Sequence, residues 1–263
     1  MSIIEIEGVS KSFGDFTVFR DVTMSIPAGE TTAIIGPSGT GKSVMLKLIV
    51  GLMRPDTGAI RCFGVDVTKA RESELYAVRR RMGMLFQQGA LFDSMTVGDN
   101  VAFPLVHHRP ELTDAARMAM VEEALELVDL PGSAGRMTAE LSGGQRKRVG
   151  LARAIVEKPE LVLFDEPNSG LDPLTSEAID QLIERMKEAL GVTFVIISHD
   201  IVGTVRVSDH IAMLSGGALI AHAPTHDFVR SRDPRVRAFL GRNLVLPDPD
   251  DPTATPALPT VPQ

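Results

Sequence analysis

The 263-residue chain has one cysteine, Cys62, so no intrachain disulfide can form, and a lone thiol fits a reducing compartment. It has no apolar run approaching about 18 residues, so no helix is expected to span a bilayer, and any work at a membrane must pass through a partner. Residues 1–13 lack the basic onset and apolar stretch of a signal peptide, so no secretory leader is expected. There is no basic surplus either: 27 Lys and Arg stand against 34 Asp and Glu, a net charge of −7, which argues against nucleic acid as a partner. Metal-ligand spacing is missing around the histidines. His107 and His108 are adjacent and cannot easily share one ion, and with His222 and His226 they read as surface-loop residues.

What is present suffices for a sizeable core: 44% of residues are apolar. Residues 3–9 and 16–26 read as strands joined by a turn at Gly14-Asp15. Thr31–Ile35 is a short β-branched run that stops at a glycine-rich loop, and a helical pattern follows from Ser43 to Met53. A strand and turn over 59–68, a basic helix near 72–82 and a strand at 84–86 come next. Residues 88–158 read as mostly helical. Leu161–Asp165 and Val192–Ser198 are buried-strand patterns either side of an amphipathic helix, Ser176–Leu190, and 211–223 reads as a hairpin. Strands alternating with helices predict an α/β fold with a mainly parallel sheet, an antiparallel lobe at the start and a helical insert. The last 18 residues hold six prolines and no aromatic residue, so the expectation is a compact domain over 1–242 and a disordered tail over 243–263. Within that tail Leu244-Val245-Leu246 is an apolar run, expected either to dock on another surface or to belong to a free tail that serves solubility.

Three motifs carry chemistry. Gly36-Pro37-Ser38-Gly39-Thr40-Gly41-Lys42-Ser43 fits G-x-x-x-x-G-K-[ST] between a strand and a helix. Its backbone amides and the helix N-terminus suit phosphate, Lys42 suits the β- and γ-phosphates of ATP, and Ser43 suits Mg²⁺. Leu161-Val162-Leu163-Phe164 runs into Asp165-Glu166. Adjacent carboxylates at the end of a buried strand are costly without a cation, so Asp165 is a candidate Mg²⁺ ligand and Glu166 a candidate to polarise an attacking water. In Leu141-Ser142-Gly143-Gly144-Gln145, a serine N-cap and two glycines open a helix, which makes a second phosphate-binding helix end.

These motifs, in this order, resemble the ABC ATPases over residues 3–240. The resemblance implies a P-loop NTPase of the ABC type, with a RecA-like core sheet, an antiparallel β lobe and a helical subdomain near 88–158. It implies that Gln87 is the Q-loop glutamine, contacting Mg²⁺ and water. Ser169-Gly170-Leu171-Asp172 is similar to the D-loop, His199 to the switch histidine at the γ-phosphate, and Phe13 to the aromatic residue under adenine. Two copies would pack head to tail, ATP lying between the P-loop of one and the Leu141–Gln145 signature of the other, with both sites active.

Phe86-Gln87-Gln88-Gly89-Ala90-Leu91-Phe92, Asp99-Asn100-Val101-Ala102-Phe103-Pro104-Leu105 and Asp233–Leu240 further resemble the ATPases of the Mla and Mce lipid-transport systems. That resemblance implies a cargo of phospholipid or another hydrophobic lipid, a multipass membrane permease and an Mce-domain substrate-binding protein. The chain would sit on the cytoplasmic face of the inner membrane, held there by the permease. Leu91, Phe92, Met95 and Phe103, flanking the Q-loop, are expected at the permease contact. Import of another solute, such as amino acids, stays open as an alternative, as does a non-transport ABC ATPase, although neither a long coiled coil nor a second cassette is present.

Overall fold

A computed structural model describes residues 1–87, 90–242, 244–246, 248 and 256. Two compact units emerge, one from residues 1–75 and 196–263, the other from 76–195.

The first unit opens with the long strands β1 (Ser2–Phe13) and β2 (Phe16–Pro27), paired antiparallel around the expected turn. In β1, Ile4, Ile6 and Val9 are buried while Glu5 and Glu7 face water, the alternation of a sheet with one wet face. β3 (Thr31–Ile35) is different: all five residues are buried. The helix α1 (Lys42–Ile49) follows, then β4 (Thr57–Cys62), which pairs with β1, and the short β5 (Val65–Asp66), giving a four-stranded sheet in the order β2-β1-β4-β5. Cys62 is fully buried and donates to the Ile49 carbonyl at 3.4 Å, and burial pushes its thiol pKa up to about 12.

The second unit is entered through α2 (Glu72–Arg79). It holds β6 (Met82–Leu85), α3 (Val97–His108), α4 (Asp114–Leu127), α5 (Gly143–Ile155), β7 (Leu161–Asp165) and α6 (Pro173–Leu190). β6 and β7 pair in parallel, and β8 (Thr193–Ile197), along which the chain leaves this unit, flanks β7. Phe164 and Phe194 meet edge to face at 5.1 Å between centroids, both fully buried.

Back in the first unit come α7 (Ile201–Val207), β9 (His210–Ser215), β10 (Ala218–Pro224), α8 (Thr225–Val229) and α9 (Pro234–Leu240). β9 pairs in parallel with β3 and antiparallel with β10.

Several boundaries differ from the sequence reading. α6 begins three residues before Ser176, because Asp172 caps it: its carboxylate accepts from the Thr175 amide at 3.0 Å, with proline at the first helical position. His107 and His108 end α3 rather than occupying a loop, and His108 Nδ1 lies 2.6 Å from a carboxylate oxygen of Glu157. Leu244 is buried in a cluster with Val236, Leu240 and Phe228, and Leu246 packs against that cluster. Leu244 and Leu246 therefore find cover within this chain, while Val245 between them stays 55% exposed. The rest of the proline-rich tail, apart from Asp248 and Pro256, lies outside the described residues, as do Gln88 and Gly89.

Candidate functional site

The motif residues fall into two groups, one in each unit. In the first unit the loop Gly36–Ser43 leaves β3 and enters α1. Pro37, Ser38 and Gly39 are exposed, whereas Lys42 is only 6% exposed. Its ammonium donates to the carbonyls of Gly36 at 2.9 Å and Pro37 at 3.1 Å, so the loop is wound around the charge. Gly41 caps α1 with φ of +87°, and a Cβ there would stand 2.1 Å from Val18 Cγ1 on β2; both the conformation and the space demand glycine. No acidic side chain lies in the first turn of α1, which leaves the positive end of the helix to an outside anion. These features fit a phosphate chain: a wide turn of backbone, a helix N-terminus and one fixed ammonium.

Phe13 ends β1 opposite Phe16, and both rings are exposed in the same unit as the loop, with the Lys11 ammonium 5.4 Å from the Phe13 centroid. His199 is exposed, just past the end of β8. It is followed by Asp200, which caps α7 by accepting from the Gly203 amide at 3.2 Å, while Ser198 Oγ accepts from the Asp200 amide at 2.9 Å. That paired turn fixes the backbone on both sides of His199.

In the second unit, Asp165 closes β7 and Glu166 follows with φ of +53°, left-handed and uncommon outside glycine. A strained backbone at the residue after a buried strand aims its side chain away from the strand's own pleat. Gln87 comes just after β6, and its side-chain amide donates to Ser169 Oγ at 3.2 Å. Asp165 and Gln87, in this unit, both offer oxygen donors, the kind a hard cation such as Mg²⁺ takes.

The signature Leu141–Gln145 forms a complete capping box at the start of α5. Ser142 Oγ accepts from the Gln145 amide at 3.3 Å, and the Ser142 amide donates to Gln145 Oε1 at 3.1 Å. Gly144 is required by space: a Cβ there would sit 2.6 Å from Thr175 Cγ2 at the start of α6. No acidic residue occupies the first turn of α5 either.

One residue escaped the sequence reading. Lys147, on α5, is 6% exposed, and its ammonium donates to the backbone carbonyl of Gln87 and reaches that of Glu166 at 3.4 Å. Burial pulls its pKa down, opposed by the nearby charges of Glu166 and Asp165. It ties the signature helix, the Gln87 loop and the end of β7 together. Lys147 sits four residues before buried Leu151 and seven before buried Ala154, and that spacing was the available signal.

Beside Gln87 a groove of about 440 Å³ opens, lined by apolar residues that include Met84, Phe86, Phe92, Phe103 and Pro104. Phe92 and Phe103 pack with their rings tilted and centroids 4.7 Å apart, and Phe86 and Phe92 remain 42% and 40% exposed. Arg153, His108 and Glu157 supply its polar edge. Leu91 and Met95, expected on the same surface, are half-buried and are not among the lining residues.

A family model described as ABC transporter matches residues 19–169. The chain is 43% identical, over 93% of its length and 70% of the relative, to the probable ribonucleotide transport ATP-binding protein mkl of Mycobacterium leprae. It is 42% identical, over 91% of its length and 88% of the relative, to the intermembrane phospholipid transport system ATP-binding protein MlaF of Escherichia coli. Among solved structures it resembles a dimeric ATP-binding cassette, MJ0796, in a post-hydrolysis state bound to ADP and Pi, at 32% identity, with a TM-score of 0.76 over 84% of this chain and 98% of that one. The cbiO1 component of the Clostridium perfringens cbiONQ ABC transporter complex is also similar, at 28% identity, with a TM-score of 0.80 over 92% of this chain and 96% of that one.

Proposed function

The chain belongs to the ABC transporter family, and from that membership we propose that it is the ATP-hydrolysing subunit of a transporter that moves phospholipid or another hydrophobic lipid. The observation that carries the reading is the pairing of a phosphate-cradling loop wound around Lys42 with a capped, acid-free signature helix joined through Lys147 to the Asp165-Glu166 strand end. Lys42 and the loop amides would hold the β- and γ-phosphates, with Phe13 against the adenine. Ser43, Asp165 and Gln87 would hold Mg²⁺, which neutralises charge on the phosphate oxygens when bound. Glu166 would orient the attacking water and accept its proton, and His199 would contact the γ-phosphate.

The signature helix of a second copy would complete the site. Its N-terminal amides would meet the phosphate as charge develops in the transition state, so hydrolysis depends on dimer closure. The dimeric MJ0796 cassette supports that assembly. No helix among the described residues is long and apolar enough to cross a membrane. Anchoring on the cytoplasmic face of the inner membrane would therefore come from a multipass permease, with an Mce-domain protein handling the lipid.

Two relatives of similar identity carry names with different cargoes, phospholipid for MlaF and ribonucleotide for mkl. Phospholipid is favoured by the wider mutual coverage with MlaF. Mass spectrometry of the co-purified complex should find phospholipid bound at stoichiometric levels. Retention of a ribonucleotide cargo instead of lipid would overturn the assignment.

The apolar groove beside Gln87 is the proposed permease contact. Covering the exposed parts of Phe86 and Phe92 would stabilise the complex by roughly 1–2 kcal/mol per ring. The double variant Phe86→Ala with Phe92→Ala should lower permease retention on an affinity resin by at least ten-fold while ATP still binds. Unchanged retention would remove the groove as the docking surface.

A further inference from the structure

The loop that carries Phe92 into the groove is fastened to the loop that leads into the signature. Asn100, fully buried in α3, accepts from the Phe92 amide at 2.8 Å and donates to the carbonyls of Phe92 at 3.1 Å and Thr96 at 2.9 Å. The amides of Val97 and Gly98 then donate to the carbonyls of Arg136 and Ala134, each at 2.8 Å, and Thr96 bridges to Met137. The fully buried Thr138 presents its hydroxyl to the carbonyls of Phe92, Asp93 and Met95 at 3.3–3.5 Å. Residues 92–98 and 134–138 thus form one stitched seam, with the groove at one end and Ser142 a few residues beyond the other.

Arg146 joins this seam to the signature helix. Its backbone amide closes the first turn of α5 on the Ser142 carbonyl at 2.9 Å. Its guanidinium forks outward: Nη1 donates to the Thr138 carbonyl at 3.1 Å and Nη2 to Asp93 Oδ1 at 2.6 Å. Asp93 is the residue after Phe92, and Arg146 is the residue after the signature.

We propose that Arg146, through Asp93 and Thr138, is the positioning residue by which occupancy of the groove sets the signature turn. The inference rests on the reading that the groove receives the permease. A planar guanidinium held by two acceptors transmits orientation better than a single flexible contact. Little of this shows as fold stability. Asp93 is 76% exposed and Arg146 31%, and such an ion pair contributes little against water. Coupling and stability are therefore separable readouts.

The test uses the full chain, alone and assembled with its permease, carrying Asp93→Ala, Arg146→Ala or both. Melting temperature, permease retention and the ATPase rate of the isolated chain should stay near wild type, the last within about two-fold. The rise in ATPase rate on permease binding should fall at least five-fold in each single variant. The double variant should be no worse than either single, since both remove one connection. Undiminished stimulation in the single variants, or multiplied losses in the double, would overturn the proposal. So would loss of permease retention, which would make Asp93 and Arg146 part of the docking surface itself. The docking reading fails separately, through full retention by the Phe86→Ala, Phe92→Ala variant, and takes the premise with it.

Discussion

Replacing Glu166 by glutamine is expected to slow ATP turnover by about 10²–10³-fold while leaving ATP binding intact, because a positioned general base contributes on that order. The substitution keeps size and removes only the charge that would accept the proton of the attacking water. The backbone at this position is left-handed, and Lys147 holds its carbonyl from the signature helix, so the amide side chain should occupy the same place. Binding is retained because the phosphate loop lies on a different stretch of chain and is wound around its own lysine. Turnover in the assembled complex, measured beside fluorescent-nucleotide binding, checks both halves. Normal turnover, or lost binding, would remove Glu166 from its proposed role.

Lys42→Ala is expected to reduce turnover by a similar factor through a different cause. It deletes the one fixed cation of the loop, which would follow the γ-phosphate as charge builds. It also frees two carbonyls, those of Gly36 and Pro37, that the ammonium now gathers. Nucleotide affinity should therefore fall along with the rate, unlike Glu166→Gln. Lys42→Arg should not restore activity, since a broad planar guanidinium does not reproduce the compact ammonium that the loop is wound around. Turnover within a few-fold of wild type in the complex would refute the assignment.

The phosphate loop and the Asp165-Glu166 strand end were legible in the sequence because their chemistry is local. Glycines, a lysine and a helix start fall within eight consecutive residues and set the loop's conformation, and a buried strand shows where its first carboxylates must fall. The signature was equally plain, since Ser142 and Gln145 satisfy each other over three residues. Relations set by distant packing were not legible. Lys147 sits in a run of three basic residues that looks like a solvated face, and although its spacing to Leu151 and Ala154 places it on the buried side of α5, its partners at Gln87 and Glu166 are set by distant packing. The start of α6 lies earlier than its apolar pattern because Asp172 followed by Pro173 caps it, the same Asp-Pro signal that opens α9 at Asp233. Leu244 is covered partly by its near neighbours Val236 and Leu240 and partly by Phe228, β3 and β9, and the contribution of the two strands, which lie far earlier in the chain, is what a local pattern does not show. Arg146 and Asp93 are 53 positions apart, beyond any pattern in one sequence.

The central claim is that two copies of this chain close on ATP, the phosphate loop of one against the signature of the other. Sedimentation of the Glu166→Gln chain tests it most directly, because slow hydrolysis should hold the closed state. With Mg²⁺ and ATP it should sediment as a dimer, without nucleotide as a monomer, and adding Ser142→Arg should abolish the dimer while each chain still binds ATP. A chain that stays monomeric with ATP, or a dimer that survives Ser142→Arg, would contradict it.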